Sequence, residues 1–217
     1  MTKLLHITSS PRGERSESNH IAATFLDAYL PAASGVEVDT LDLWDGSLPV
    51  YGGRGVEAKM NVFAGQDPSG QAGEAWDEVK RVFDRFASAD EYLFTVPMWN
   101  HGVPWVLKHL IDTISQPGML FGFDPERGYT GLLTGRRAMV VFTSAVYGPG
   151  APLEFGVDFH ANYFRDWLRF AGITDVAEAR FQPNLVTADA DAGRRVAERQ
   201  ARDAAARWLG SSAKLAA

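Results

Sequence analysis

The sequence predicts an α/β protein: a doubly wound, five-stranded parallel sheet with helices on both faces, plus one hairpin excursion. Three observations carry that prediction. Five short apolar runs alternate with segments whose apolar residues recur at helical spacing, giving the order β-α-β-α-β-α-β-α-β-α. Most of the runs are apolar throughout, as strands covered on both faces are. Polar, Gly- and Pro-bearing connections separate the elements, and no internal repeat interrupts them. With 217 residues the chain is read as one domain, 1–217, long enough to bury a sizeable core.

The elements follow in order. Leu4-Leu5-His6-Ile7 is a buried strand that runs into the polar loop Ser9-Ser10-Pro11-Arg12-Gly13, with His6 expected as a satisfied core histidine. Ser18 is a suitable N-cap for a helix carrying Ile21, Phe25 and Tyr29 at fourfold spacing, and Gly35 closes the connection. Val36 to Leu43 alternates apolar and acidic residues, as a half-buried strand does. Residues 44–71 show no clean period and are read as a long loop. A helix with Trp76, Val79, Phe83 and Phe86 on one side leads into the buried strand Tyr92 to Val96. Pro104 fits the first turn of a helix whose inner face is Leu107, Leu110, Ile111 and Ile114. Lys108 and Asp112, at i and i+4, are read as a solvated pair on its outer side. Gly and Pro breaks at 116–131 frame Met119 to Phe123 as a hairpin. Ala138 to Phe142 is the fourth strand, and a helix with Phe159, Tyr163 and Trp167 on one side ends near Gly172. The last strand is about Val176 to Phe181, and the last helix about Ala188 to Leu209.

Composition narrows the chemistry. Apolar residues are 46% and charged residues 22%, ordinary for a globular chain, and the net charge of −6 argues against nucleic acid. No apolar run approaches the ~20 residues of a membrane span. The opening MTKLLHITSSPRGER lacks a signal-peptide layout, so a cytoplasmic location is the default expectation. Without cysteine there are no disulfides, thiolate nucleophiles, Fe–S clusters or Cys-type zinc sites. His6, His20, His101, His109 and His160 show no paired spacing, so no metal site is expected.

Ligands on such sheets bind beyond the C-terminal strand ends, near the point where strand order reverses. The loops after the first, third and fourth strands are therefore the candidates. The first, SSPRGERSES, brings Ser9, Ser10, Ser16 and Ser18 to a helix N-terminus, where hydroxyls and free N–H groups suit a phosphate. It has neither GxxxxGK[ST] nor GxGxxG, which favours one monophosphate over a di- or triphosphate; a plain capped polar loop is the alternative. The second, Pro97-Met98-Trp99-Asn100-His101-Gly102-Val103, mixes apolar, aromatic and amide groups able to pack a flat ring and read its polar edge. The third, Thr143-Ser144-Ala145-Val146-Tyr147-Gly148, is rich in small residues that admit a close approach of backbone.

The blocks SSPRGERSES, PMWNHGVPWVLKHLID, GMLFGFDPERGYTGLLTGRRAMVVFTS and FAGITD resemble the FMN-dependent NADH-azoreductases, also called NADH:quinone reductases. The resemblance runs in order over nearly the whole chain and is weakest at 44–75 and 147–160. It implies a flavodoxin-like fold, a homodimer with two FMN sites at the interface, and hydride transfer from NADH or NADPH through FMN to a quinone, azo or similar flat acceptor. By position it implies FMN phosphate binding at Ser10 and at Ser16-Glu17-Ser18. It implies ring binding at Pro97, Met98, Trp99, Asn100 and His101, and at Thr143, Ser144, Ala145 and Val146. The family's substrate aromatics fall on Phe121, Phe123 and Phe170. Departures stand out: Trp99 and His101 replace Tyr and Phe, and Ala145-Val146 occupies the place of a Gly-Gly pair.

Each assignment has a plainer counterpart. Phe121, Phe123 and Phe170 are as readily core residues. His101 is a donor to flavin or substrate, or a loop histidine bonded to backbone. Tyr147 is a proton donor, or a packing residue whose pKa of about 10 suits that task poorly. Two other functions compete: a flavodoxin-type single-electron carrier, and a hydrolase or phosphatase using Ser10 or Ser16. The 44–71 segment and the aromatic hairpin count against the carrier, and the lack of GxSxG counts against the hydrolase.

Overall fold

A computed structural model of the chain describes residues 1–215. The strands of the main sheet are β1 (Thr2–Thr8), β2 (Val36–Asp42), β3 (Glu91–Pro97), β6 (Arg137–Thr143) and β7 (Asp175–Phe181). They lie in the order β2-β1-β3-β6-β7, and every neighbouring pair is parallel. The sheet is thus the five-stranded parallel sheet expected from the apolar runs, with its order reversing between β1 and β3. The central strand β3 is buried along nearly its whole length, whereas the edge strands β2 and β7 are only partly covered, which is why these two alternate in sequence.

Helices cover both faces. On one face α1 (Glu17–Tyr29) and α6 (Ala190–Leu215) bury Ile21, Phe25, Tyr29, Ala197, Ala201 and Trp208 against Leu4, Leu93, Met139 and Val141. On the other, α3 (Gly70–Ala87), α4 (Trp105–Ile114) and α5 (Ala161–Ala171) place Phe86, Leu107, Ile111, Phe164 and Trp167 on Leu5, Ile7, Phe94, Val140 and Phe142. Alternate residues of each strand therefore feed two separate cores. At the N-terminal strand ends the Arg137 guanidinium pairs with Glu91 and lies 4.4 Å from the Trp208 ring. Tyr29 donates to both Glu91 oxygens at 2.9 and 3.0 Å, so this buried carboxylate is enclosed by donors. Burial, then the Glu91 charge, pushes the Tyr29 phenol up to about 12.

The hairpin read at 116–131 is present as β4 (Phe121–Asp124) paired antiparallel with β5 (Gly128–Gly131). Residues 44–71 are not one long loop: Gly53–Phe63 forms helix α2. Its inward side consists of Gly55 and Ala58, while Val56, Met60 and Phe63 are exposed. A helix seated through small residues leaves no period of large buried ones to detect.

Four smaller corrections follow. Ser16, not Ser18, caps α1, its Oγ accepting from the Asn19 N–H at 3.3 Å. Pro104 is the residue before α4 and not in its first turn. Phe159 lies outside α5 and is exposed, because Asp158 Oδ1 accepts from the N–H groups of His160 and Ala161 and starts the helix later. His6 is not satisfied: its Nε2 is buried with no hydrogen-bond partner among the described residues, and burial lowers its pKa to about 4. Gly172 does close α5, in the left-handed conformation at φ 96°.

Candidate functional site

The loops after β1, β3 and β6 converge beside the switch point. The first is held at its base, since the Ser9 N–H donates to Thr95 Oγ1 at 3.2 Å and the Ser9 hydroxyl to the Thr95 carbonyl. Ser9 is thereby committed to structure, although its sequence context grouped it with the phosphate serines. The loop then turns through Gly13, at φ 54°, into α1. Ser10, Ser16 and Ser18 are all buried, and Ser16 Oγ lies 3.0 Å from Ser18 Oγ. The Ser10 hydroxyl and the first-turn N–H groups of Glu17 and Ser18 find no acceptor among the described residues. Hydroxyls and open N–H groups at a helix N-terminus form an anion cradle.

The second loop is a tight reversal. Trp99 and Gly102 exchange two backbone hydrogen bonds of 2.9 Å, and the residues between them, Asn100 and His101, stand at φ 47° and 68°. Two successive positive φ values are what a two-residue type I′ turn demands, and Asn tolerates that region better than most residues. The Met98 N–H reaches the Thr143 carbonyl at 2.7 Å, fixing the second loop to the third. Three indoles gather here: Trp44 lies 5.6 Å from Trp99 and 5.5 Å from Trp105, and the Trp44 indole Nε1–H donates to the Ser9 carbonyl at 3.0 Å. The exposed His101 ring lies close against Gly156, where a Cβ would sit 2.1 Å from its Nδ1.

In the third loop the Ser144 hydroxyl donates to the Tyr147 carbonyl, so that side chain shapes its own turn. The N–H groups of Ala145, Val146 and Tyr147 donate to nothing among the described residues. The segment after β7 braces this loop, with Asn184 N–H to Ser144 O at 2.8 Å and Leu185 N–H to Ala145 O at 3.0 Å.

A cavity of about 190 Å³ lies among these segments. Of the expected residues, Ser10, Ser16, Glu17, Pro97, Met98, Trp99, Thr143, Ser144 and Ala145 line it. Ser18 sits behind Ser16 through their hydroxyl pair. Asn100 borders instead a neighbouring cavity of about 470 Å³, reached past Trp99 and walled by Trp105, Tyr51, His109 and the Lys108–Asp112 pair. That pair is formed at 2.6 Å and half-exposed, but it faces this cavity and not open solvent alone. His101, Val146 and Tyr147 line neither space.

Pro11, Arg12, Asn184 and Leu185 join the small cavity without having been singled out. The polar turn Gln182-Pro183-Asn184 directly after the last strand was the available signal, because that strand end reaches the same edge of the sheet. The Phe121 and Phe170 rings meet at a tilt, 4.8 Å apart, and both contact Tyr129, with Phe121 in the core and Phe123 exposed at the hairpin surface. These aromatics lie against α5 and line neither cavity. A larger cavity, about 870 Å³, lies between residues 46–54 and α3 and touches none of the three loops.

Chemically, the small cavity offers serine hydroxyls and open N–H groups at one end, beside the Glu17 carboxylate, and flat apolar and indole surface at the other. That combination suits a planar ligand carrying an anionic tail. No cluster of three metal-ligating residues occurs among the described residues, and no helix there is long and apolar enough to cross a membrane.

A family model described as flavodoxin-like fold matches residues 2–205. An FMN-dependent NADH:quinone oxidoreductase of Ruegeria pomeroyi is 52% identical over 195 residues, 89% of this chain and 95% of that protein. One from Desulfotalea psychrophila is 39% identical over 185 residues, 85% and 87% of the two chains. Among solved structures, an FMN-dependent NADH-azoreductase from Bacillus anthracis in complex with FMN superposes with a TM-score of 0.84 at 24% identity, covering 96% of this chain and 100% of that one. This last likeness is one of fold.

Proposed function

The chain belongs to the flavodoxin-like fold family matched over residues 2–205, and from that membership we propose that it is an FMN-dependent oxidoreductase. It moves reducing equivalents from NADH to quinone, azo or similar flat, electron-poor acceptors. The observation that carries this is the small cavity at the switch point, which joins a cradle of serine hydroxyls and open helix N–H groups to an aromatic wall. It is supported by a relative of that name at 52% identity over most of both chains.

The donor set fits FMN. A monophosphate matches the Ser10 hydroxyl, the Ser16–Ser18 pair and the Glu17 and Ser18 N–H groups, with Arg12 at the rim adding opposite charge. Hydrogen bonds to a charged group contribute about 1.5–3 kcal/mol each, so a few such donors account for firm retention. A second phosphate, as in FAD, has no Gly-rich turn to receive it.

Bound FMN supplies two-electron chemistry, accepting a hydride from NADH and giving it to the acceptor. The protein's share is placement. Pro97, Met98 and Trp99 form the wall of the slot, and the Trp44–Trp99–Trp105 cluster keeps that wall stiff. The open N–H groups at Ala145, Val146 and Tyr147 are suited to stabilise negative charge that develops on a ring edge. Donor and acceptor using one exposed face in turn gives ping-pong kinetics. Asn100 shapes the turn that presents Trp99, and His101 and Tyr147, on the same two loops but outside the cavity lining, are the candidate proton donors. In this proposal the exposed Phe123 and half-buried Phe170, backed by the buried Phe121, offer the acceptor an aromatic surface once a partner closes over them.

The enzyme is a homodimer in this proposal. The exposed Val56, Met60 and Phe63 of α2, the exposed Phe123 and Tyr129 of the hairpin, and Leu153, Phe155 and Phe159 are more apolar surface than a lone chain usually leaves in water. A partner there also brings the hairpin aromatics into a closed pocket. A cytoplasmic location, the default expectation for this chain, is part of the same proposal. Acid release followed by chromatography tests the cofactor: FMN is expected, and FAD or no flavin overturns the assignment. Light scattering is expected to give a dimer, and a stable monomer retaining flavin and activity contradicts that part.

A further inference from the structure

The Ser16-Glu17-Ser18 cradle contains an acid in a place where an anion is to bind. Glu17 is the first residue of α1 and lines the small cavity. A free carboxylate there is drawn to the positive end of its own helix and competes with any other anion for it. The structure shows where that charge goes. Arg194 of α6, 177 residues later, grips both Glu17 oxygens, Nε to Oε2 at 3.0 Å and Nη2 to Oε1 at 2.7 Å. The guanidinium is itself fixed, with its carbon 5.6 Å from the Phe181 ring and its Nη1 3.5 Å from Asp191.

With the FMN phosphate as the anion, as in the proposed function, we infer that Arg194 is a positioning residue that masks Glu17. It holds the carboxylate away from the cradle and cancels its charge, so that Glu17 meets the phosphate through its backbone N–H and not through its side chain. A bidentate arginine suits this, because it occupies both oxygens in one fixed geometry. The effect depends on the phosphate and not on the ring, which separates it from a merely structural role in docking α6 onto α1.

The test compares dissociation constants of FMN and of riboflavin, which lacks the phosphate, for the apo-protein. Arg194→Ala is expected to weaken FMN by on the order of tenfold, as an uncompensated charge a few ångströms from an anion implies, and to leave riboflavin unchanged. The loss is expected to shrink as salt is raised. The double variant Arg194→Ala/Glu17→Gln is expected to recover the wild-type FMN constant, since the carboxamide keeps the shape and removes the charge. Equal weakening of both flavins, no weakening at all, or failure of Glu17→Gln to rescue overturns the masking role while leaving the FMN assignment standing. A wild-type protein that binds FMN no more tightly than riboflavin overturns the phosphate cradle itself, and the masking role with it.

Discussion

Gly131→Ala isolates the contact that seats the hairpin. Gly131 is the last residue of β5 and pairs with Phe121. The C-terminal end of α5 packs directly on its Cα: an added Cβ would lie 2.1 Å from the Gly172 nitrogen and 2.5 Å from the Ala171 carbonyl carbon. Ordinary contact begins at 3.4 Å, and the crowding atoms are backbone, so hairpin and helix must separate. That movement loosens the 2.9 Å bond from the Leu133 N–H to the Ala171 carbonyl and the tilted Phe121–Phe170 ring contact at 4.8 Å. Overpacking of this kind plus a stretched buried hydrogen bond costs about 2–3 kcal/mol. For a chain of this size the thermal midpoint should fall by about 5–10 °C. Thermal unfolding followed by circular dichroism measures it. FMN affinity should hold, since none of the cradle residues lies on the hairpin or α5, while KM for large acceptors rises. A midpoint within about 2 °C of wild type would refute the steric argument.

Three further outcomes are expected. Arg137→Ala leaves the buried Glu91 carboxylate without its cation and should destabilise the fold by about 3–5 kcal/mol in denaturant titrations, with little change in the flavin constants; a loss below about 1 kcal/mol contradicts it. Burial holds His6 and His160 down to about 4, so the unfolded chain takes up protons that the folded chain refuses. Stability is then full above about pH 6.5 and lost as pH falls toward 4, by up to about 1.4 kcal/mol per pH unit for each histidine. A urea midpoint unchanged between pH 7 and pH 5 would exclude this. Asn100→Ala should weaken FMN by about tenfold through left-handed strain of roughly 1–2 kcal/mol, Asn100→Gly far less, and Lys108→Ala hardly at all. Equal constants for the Ala and Gly variants would assign the loss to the carboxamide and not to the turn.

The sheet was legible because its inner strands, β3 and β6 above all, are buried on both faces and read as unbroken apolar runs, while edge strand β2 alternates. The candidate loops were legible because an α/β sheet presents ligands at its C-terminal strand ends. Helix α2 escaped detection because it docks through Gly55 and Ala58 and exposes its large residues. Ser9 and Ser10 look alike in sequence, and only the bonds to Thr95 separate the structural serine from the open one. Arg194 could not be connected with Glu17 by any local pattern, since the contact exists only once α6 lies against α1. The Asn100-His101 reversal was equally hidden, because neither residue demands a positive φ in the way Gly does.

Anaerobic addition of NADH to the purified protein, with the visible flavin band recorded throughout, tests the central claim most directly. The protein is expected to be yellow, to bleach with about one equivalent of NADH by two-electron stoichiometry, and to regain its colour when a quinone is added without air. A colourless protein, or a yellow one that NADH does not bleach, would contradict an FMN-dependent NADH oxidoreductase.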